Sequence, residues 1–359
     1  MRSAGAAPCP ARTGNVAEVS DSPTSNVRVR AEGGIGRLTL DRPRAINALD
    51  LAMIRDLAAA LDAWEHDPSV RVVVLDGAGD RGLCAGGDVR GLYAQIVAGH
   101  PADVGEFFRA EYALNARIAE YPKPFVALAD GITMGGGIGL AGHAAVRVVT
   151  ERSRLAMPET RIGFTPDVGG TWLLAHAPGR TGEYLGLTGA TMDAADAIHA
   201  GFADVLVPSD RLGEVAGEVP EELAAVPGAS ALEAARPWID DAFAAATVPE
   251  IIERLRARPE PAASTAADTL AELSPTGLAV TLAAVRSARE LPGLRAALAQ
   301  EYGLVMWFAH TQPDLVEGIR AQLVDKDRTP TWRPATFADL PADIAADALA
   351  YTPETPLWG

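Results

Sequence analysis

An α/β fold with a largely parallel sheet, followed by a helical C-terminal region, is predicted by three features of this 359-residue chain. Short apolar runs at 70–76, 124–129 and 145–149 are nearly continuous rather than alternating, as strands buried on both faces are. Helical periods at 88–98 and 103–120 lie between them, giving the strand–helix alternation of α/β proteins. After about residue 208 the strand signals fade, and Ala, Leu, Arg and Glu fill helical periods at 231–257, 265–272, 276–300 and 313–324.

Taken in order, residues 1–26 are rich in Ala, Pro, Ser and Thr and read as a disordered extension. They lack an apolar central run and carry Glu18 and Asp21, which disfavours a secretory signal; Arg2 and Arg12 leave a weaker organelle-targeting reading open. Alternating residues at 27–30 and 36–40 flank Gly33-Gly34 and predict a hairpin that feeds a loop at Asp41-Arg42-Pro43. An amphipathic helix follows over 50–65. The chain thus divides into an extension (1–26), an α/β core (27–208) and a helical region (209–359).

A hydrophobic fraction of 48% without any run of membrane-spanning length fits a globular protein. The net charge of −16 argues against nucleic acid or an anionic membrane as the main partner, because affinity for either rests on basic surface. Cys9 and Cys84 are the two cysteines, so there is no disulfide framework and no thiol metal cluster, and a reducing cytoplasm is the simplest location. No bound metal or separate cofactor is expected.

Two glycine clusters, Gly86-Gly87 and Gly135-Gly136-Gly137, each follow an apolar strand and precede a helical stretch. A glycine turn that opens a helix presents backbone N–H groups to an anion. Alone, each cluster is explained as well by tight turns and close packing. Downstream, Glu159 and Asp167 stand eight residues apart in one loop and supply carboxylates for water or proton chemistry. The plainer readings are that Glu159 caps a turn and that Asp167 satisfies its own loop.

The segments 42–49 (RPRAINAL), 83–88 (LCAGGD) and 130–137 (DGITMGGG) occur in order, and together they resemble the enoyl-CoA hydratase/isomerase (crotonase) superfamily. Within it, 107–112 (FFRAEY), 157–160 (MPET) and 325–327 (DKD) look like the 3-hydroxyisobutyryl-CoA hydrolase branch, and the similarity runs over roughly 27–333.

The resemblance implies a spiral of ββα units with a helical tail, and an acyl-CoA thioester carbonyl held between the N–H groups of Gly87 and Gly136. It implies that Glu159 is the principal catalyst, either activating water or attacking the carbonyl to form a mixed anhydride, and that Asp167 orients the water or a substrate hydroxyl. Glu111 contacts the substrate from its helix by the same reasoning, although a helix glutamate is more often solvated or paired with an arginine such as Arg109 or Arg117.

Toward the coenzyme A end, the resemblance implies backbone contacts from Ala45 and Ile46 and places Arg42, Arg44 and Arg90 in the segments that contact coenzyme A; for Arg42 a purely structural role is an equal reading. Lys326 is a further candidate. Hydratases of the superfamily carry another glutamate two residues beyond the triple glycine, where this chain has Gly139, so hydration by a carboxylate pair is in doubt. The expected activity is hydrolysis of a short branched 3-hydroxyacyl-CoA, of the kind used in valine breakdown. The alternatives are a hydratase or isomerase and a non-catalytic acyl-CoA-binding protein on the same fold. Homo-oligomers are common in the superfamily, and the tail leaves that question open.

Other chemistries fare worse. Gly137, Gly139 and Gly142 have dinucleotide-site spacing with Glu159 downstream, but 130–134 separates them from the preceding strand prediction. No serine stands in a G-x-S-x-G elbow. His143 reads as a packed, hydrogen-bonded residue and Cys84 as a small buried hydrophobe.

Overall fold

A computed structural model describes residues 25–358; the extension expected at 1–26 lies, through residue 24, outside the described residues. Strands β1 (Val27–Glu32) and β2 (Ile35–Leu40) form the expected hairpin. Its two-residue turn, Gly33-Gly34, has φ of 62° and 93°, a backbone that glycine adopts without a Cβ clash.

Helix α1 (Leu51–Glu65) begins where the Asp50 carboxylate accepts the Met53 N–H at 2.9 Å, and it buries Met53, Ile54, Leu57, Leu61 and Trp64 on one face. Strand β3 (Val72–Gly77), helices α2 (Val89–Val97) and α3 (Pro101–Ala119), and strand β4 (Phe125–Ala129) follow. Next come β5 (Ile132–Met134), α4 (Gly136–Ala141), β6 (Val146–Val149) and β7 (Arg154–Ala156). Helices α5 (Gly170–His176), α6 (Thr181–Thr188) and α7 (Ala194–His199) lead to β8 (Val205–Leu206).

The main sheet has the order β1-β2-β3-β4-β6-β8, parallel at every pair except the hairpin, and β5 pairs with β7 in a second, two-stranded parallel sheet. Both faces of the main sheet are covered, which explains the unbroken apolar runs. Val73, Leu75 and Ala127 join the large core under the helices, while Val72, Val74, Val126 and Leu128 pack beneath Val207, Val215 and Leu223 on the other side.

The C-terminal region is helical, with two corrections to the expected boundaries. The stretch 231–257 is two helices, α8 (Ala231–Ala242) and α9 (Val248–Arg256), because Thr247 and Glu250 form a capping box and Pro249 follows at the start of the second. After α10 (Pro261–Glu272), the stretch 276–300 is likewise split into α11 (Pro275–Ala288) and α12 (Leu294–Thr311) at Pro292-Gly293. Helices α13 (Pro313–Ile319) and α14 (Ile344–Ala350) complete the chain. The unpredicted strands β5, β7 and β8 are each two or three residues long, too short for periodicity to register. Among the described residues no helix is long and apolar enough to cross a membrane.

Candidate active site

The two glycine turns lie side by side because the segments leading into them pair. Met134 N–H donates to Cys84 O at 3.0 Å, Cys84 N–H donates to Ile132 O at 3.2 Å, and Gly82 bridges to Gly131. A third segment laces in, with Leu49 N–H donating to Gly86 O and Asp88 N–H to Leu49 O, both at 2.8 Å. Gly86 (φ 110°) and Gly135 (φ 50°) take backbone conformations that other residues rarely adopt. The result is close approach: a side chain on Gly136 would begin 3.2 Å from the Gly87 nitrogen. Gly136 opens α4, where the first N–H groups of a helix have no carbonyl of their own helix to meet, and Gly87 N–H donates to no carbonyl among the described residues.

Three carboxyl groups surround these amides. Glu159 starts a short 3-10 turn, Glu159–Ile162, just after β7; a side chain on Gly135 would begin 3.0 Å from its Oε1. Glu111 reaches in from α3, where a side chain on Gly136 would begin 2.5 Å from its Oε1. Asp167 lies in the loop before α5, and its Oδ2 accepts the Tyr112 hydroxyl at 2.7 Å. Their residues are 7%, 2% and 5% exposed respectively, and Glu159 Oε2 and Glu111 Oε1 find no hydrogen-bond partner among the described residues.

Burial dominates their proton affinity, because a low-dielectric site disfavours the charged form. Glu159 and Glu111 are both raised well above the ordinary carboxylate range by burial first and by the Asp167 charge second. Burial pushes Asp167 up to about 7, against the lowering effect of the Tyr112 hydroxyl. Carboxyl groups perturbed together in this way are characteristic of functional sites.

The plainer readings of these residues fare differently. Glu159 is the first residue of its 3-10 turn rather than the cap, which is Pro158. Glu111 pairs with neither nearby arginine: Arg109 Nη1 donates to the Tyr302 hydroxyl at 2.6 Å, and Arg117 bonds Asp62 and Glu65 at 2.5 and 2.8 Å. His143 is packed, its Nε2 2.8 Å from Val168 O and its pKa lowered by burial to about 4; burial pushes the Cys84 thiol up to about 12.

The dinucleotide pattern dissolves on a different ground from the one expected. Strand β5 does run directly into the glycine turn, but Gly137 and Gly139 are helical residues of α4 and Gly142 caps its end; none forms a phosphate loop.

The proposed coenzyme A contacts are less converged. Arg42 Nη1 ties Asp88 at 2.9 Å and Ala48 O at 3.1 Å, the structural reading. The N–H groups of Ala45 and Ile46 already donate to Arg42 O and Pro43 O, and Ile46 O accepts the Ala85 N–H, so any contact from this pair to a ligand falls to remaining carbonyl lone pairs and side chains. Arg90 is exposed on α2 and donates to Leu323 O at 3.0 Å.

Four buried polar residues escaped the sequence reading. Asn47, with φ of 54°, ties the 42–49 loop to Ala78, Gly82 and Leu83 carbonyls, each at 3.1 Å. Tyr112 and Asn115 share with Glu111 the face of α3 turned to α4 and Asp167. Glu301 on α12 accepts Gly169 N–H at 2.6 Å, Thr171 N–H at 2.8 Å and the Thr171 hydroxyl at 2.5 Å, fixing the loop that carries Asp167. The i, i+4 spacing of Glu111 and Asn115 was the available signal for the second; Glu301 had none, being 134 residues from Asp167.

Residues 35–349 match the family model described as enoyl-CoA hydratase/isomerase. The chain is 38% identical over 340 residues to "3-hydroxyisobutyryl-CoA hydrolase, mitochondrial" of Rattus norvegicus, covering 88% of this chain and 86% of the relative. It is 36% identical over 356 residues to "Probable 3-hydroxyisobutyryl-CoA hydrolase 3" of Arabidopsis thaliana, covering 93% and 94%. Among solved structures, a carnitinyl-CoA dehydratase from Mycobacterium thermoresistibile superposes with a TM-score of 0.88 at 47% identity, over 93% of this chain and 98% of that one. An enoyl-CoA hydratase from Rhodobacter sphaeroides 2.4.1 gives 0.87 at 43%, over 91% and 98%. With its paired glycine turns and parallel sheet, the chain belongs to the enoyl-CoA hydratase/isomerase family, and its fold is the crotonase fold.

Proposed function

We propose that this protein hydrolyses a short branched 3-hydroxyacyl-CoA thioester, the reaction that its rat and Arabidopsis relatives are named for. The observation that carries the reading is the convergence of the Gly87 and Gly136 amides beside Glu159, with no side chain at position 139. A Cβ on Gly139 would begin 2.7 Å from Val168 Cβ and 2.8 Å from Asn115 Nδ2, so the second glutamate of a hydratase has no room there.

The thioester oxygen sits between the two N–H groups, which stabilise the negative charge that develops on it; each is worth on the order of 3 kcal/mol in the transition state. Glu159 takes a proton from water as the new C–O bond forms, or its carboxylate attacks the carbonyl carbon and water opens the resulting anhydride. In either route the C–S bond breaks, the sulfur leaves as the coenzyme A thiol and the acid is released. Asp167, held by Tyr112, orients the water.

Release of free thiol from 3-hydroxyisobutyryl-CoA tests this directly. Glu159→Gln lowers kcat by roughly a thousandfold or more while the acyl-CoA still binds, by analogy with loss of a general base. The names of the two solved structures favour a second reading, hydration of an enoyl-CoA. Loss of the enoyl absorbance of crotonyl-CoA, without thiol release, supports that reading and overturns ours.

The reducing cytoplasm is our proposed compartment, on the strength of an unpaired buried Cys84. The rat relative carries "mitochondrial" in its name, and cell fractionation with an antibody to the chain distinguishes the two.

A further inference from the structure

Helix α3 presents Glu111 and Asn115 one turn apart toward α4. A side chain on Gly136 would begin 2.5 Å from Glu111 Oε1, whereas one on Gly139 would begin 2.8 Å from Asn115 Nδ2 and 3.1 Å from its Oδ1. Four residues of helix rise put Asn115 about 6 Å further along the axis than Glu111. Asn115 is 0% exposed, and a side chain on Gly139 would also begin 2.7 Å from Val168 Cβ of the Asp167 loop. Asn115 therefore stands one helical turn further along α3 than Glu111, against α4 and the Asp167 loop.

Both polar atoms of its amide are buried without a hydrogen-bond partner among the described residues. Leaving such a group unsatisfied carries its full desolvation cost, and natural cores rarely tolerate it without a purpose. Neighbouring Glu111, Glu159 and Asp167 already crowd the site with carboxyl groups whose charged forms are disfavoured. A neutral amide adds no charge there, and it offers an acceptor and donors at every pH. A hydroxyl, which also both donates and accepts, is its chemical complement. On an acyl chain whose carbonyl lies at Gly87 and Gly136, a hydroxyl on the third carbon is roughly 3–4 Å from the carbonyl carbon by ordinary bond lengths, a distance that one helical turn along α3 spans.

We propose that Asn115 binds the 3-hydroxyl of the acyl chain and so sets the preference for 3-hydroxyacyl over plain acyl thioesters. This rests on the hydrolase reading above and names the residue that selects its substrate. A site built to hydrogen-bond a hydroxyl rejects the analogue that lacks it, because its polar group is then left unpaired.

The test compares kcat/KM for thiol release from 3-hydroxyisobutyryl-CoA and from isobutyryl-CoA, the same chain without the hydroxyl. Wild type favours the hydroxyl substrate by about tenfold or more. Asn115→Leu lowers kcat/KM for that substrate by a similar factor and leaves or raises that for isobutyryl-CoA, bringing the ratio close to one. Asn115→Ser, which keeps a donor and an acceptor, retains part of the preference and carries the test if the leucine variant does not fold. Equal losses on both substrates in a variant with an unchanged melting temperature overturn the assignment. Wild-type protein that releases thiol from neither substrate overturns the hydrolase reading itself, so the two failures are distinct.

Discussion

At the scale of single residues, the site sets burial against charge. Asp167 would release its proton near 3.8 in the unfolded chain but holds it to about 7 when folded. Below about pH 4 both states are protonated and the group is neutral to stability. Between about 4 and 7 the unfolded state ionises while the folded state does not, so stability falls as pH rises, and above 7 the full cost remains. Asp167→Asn keeps an acceptor for the Tyr112 hydroxyl and removes that cost. Urea unfolding is therefore expected to show the variant more stable than wild type at pH 8, by on the order of 2 kcal/mol, and equal to it at pH 3.5. Activity runs the other way. In the proposed reaction Glu159 acts in its ionised form, and since burial holds its proton, the acid limb of kcat/KM is expected above the ordinary carboxylate range.

Individual elements owe their placement to partners far away in sequence. The loop bearing Asp167 has left-handed backbone at Val168 (φ 54°) and Gly169 (φ 77°), and Glu301 of α12 holds it through three hydrogen bonds. Glu301 is itself pushed up to about 8 by burial, against the lowering effect of those donors. Glu301→Ala strands two buried N–H groups and is expected to lower unfolding free energy by about 3 kcal/mol, with faster amide exchange at Gly169 and Thr171. Glu301→Gln, which still accepts, loses less. Unchanged exchange at those two amides in the alanine variant would show that the loop holds itself. The glycine turns depend on short strand pairing in the same way, since β5 owes its three residues of extended backbone to β7 and to the Cys84 segment rather than to any pattern of its own.

Across the whole molecule, one hydrophobic core runs from Val27 in β1 to Ala348 in α14. Phe164 in the site loop packs edge-on against Phe308 of α12 with ring centroids 5.3 Å apart, and buried Glu183 of α6 is clasped by Arg289 beyond α11 at 2.6 Å. Residues 27–208 are thus not sealed without the helices that follow. A chain ending at residue 208 is expected to show no cooperative thermal transition and no thiol release, which circular dichroism and the thioester assay check; a cooperative melt would establish the α/β part as an independent unit.

The sequence by itself determined the class of fold, because apolar runs buried on both faces and glycine-opened helices leave local marks at 70–76, 124–129 and 135–137. It also brought Gly87, Gly136, Glu159, Asp167 and Glu111 forward as candidates, through motifs that each lie within a few residues. Tertiary structure alone decided which of these meet. Whether Glu111 pairs with arginine or faces a glycine amide, whether Gly139 leaves room for a carboxylate, and what holds the Asp167 loop all depend on side chains converging from segments 20 to more than 130 residues apart. Local periodicity reports which face of an element is buried; it carries no information about what that face is buried against, and in this site the chemistry lies in that second fact.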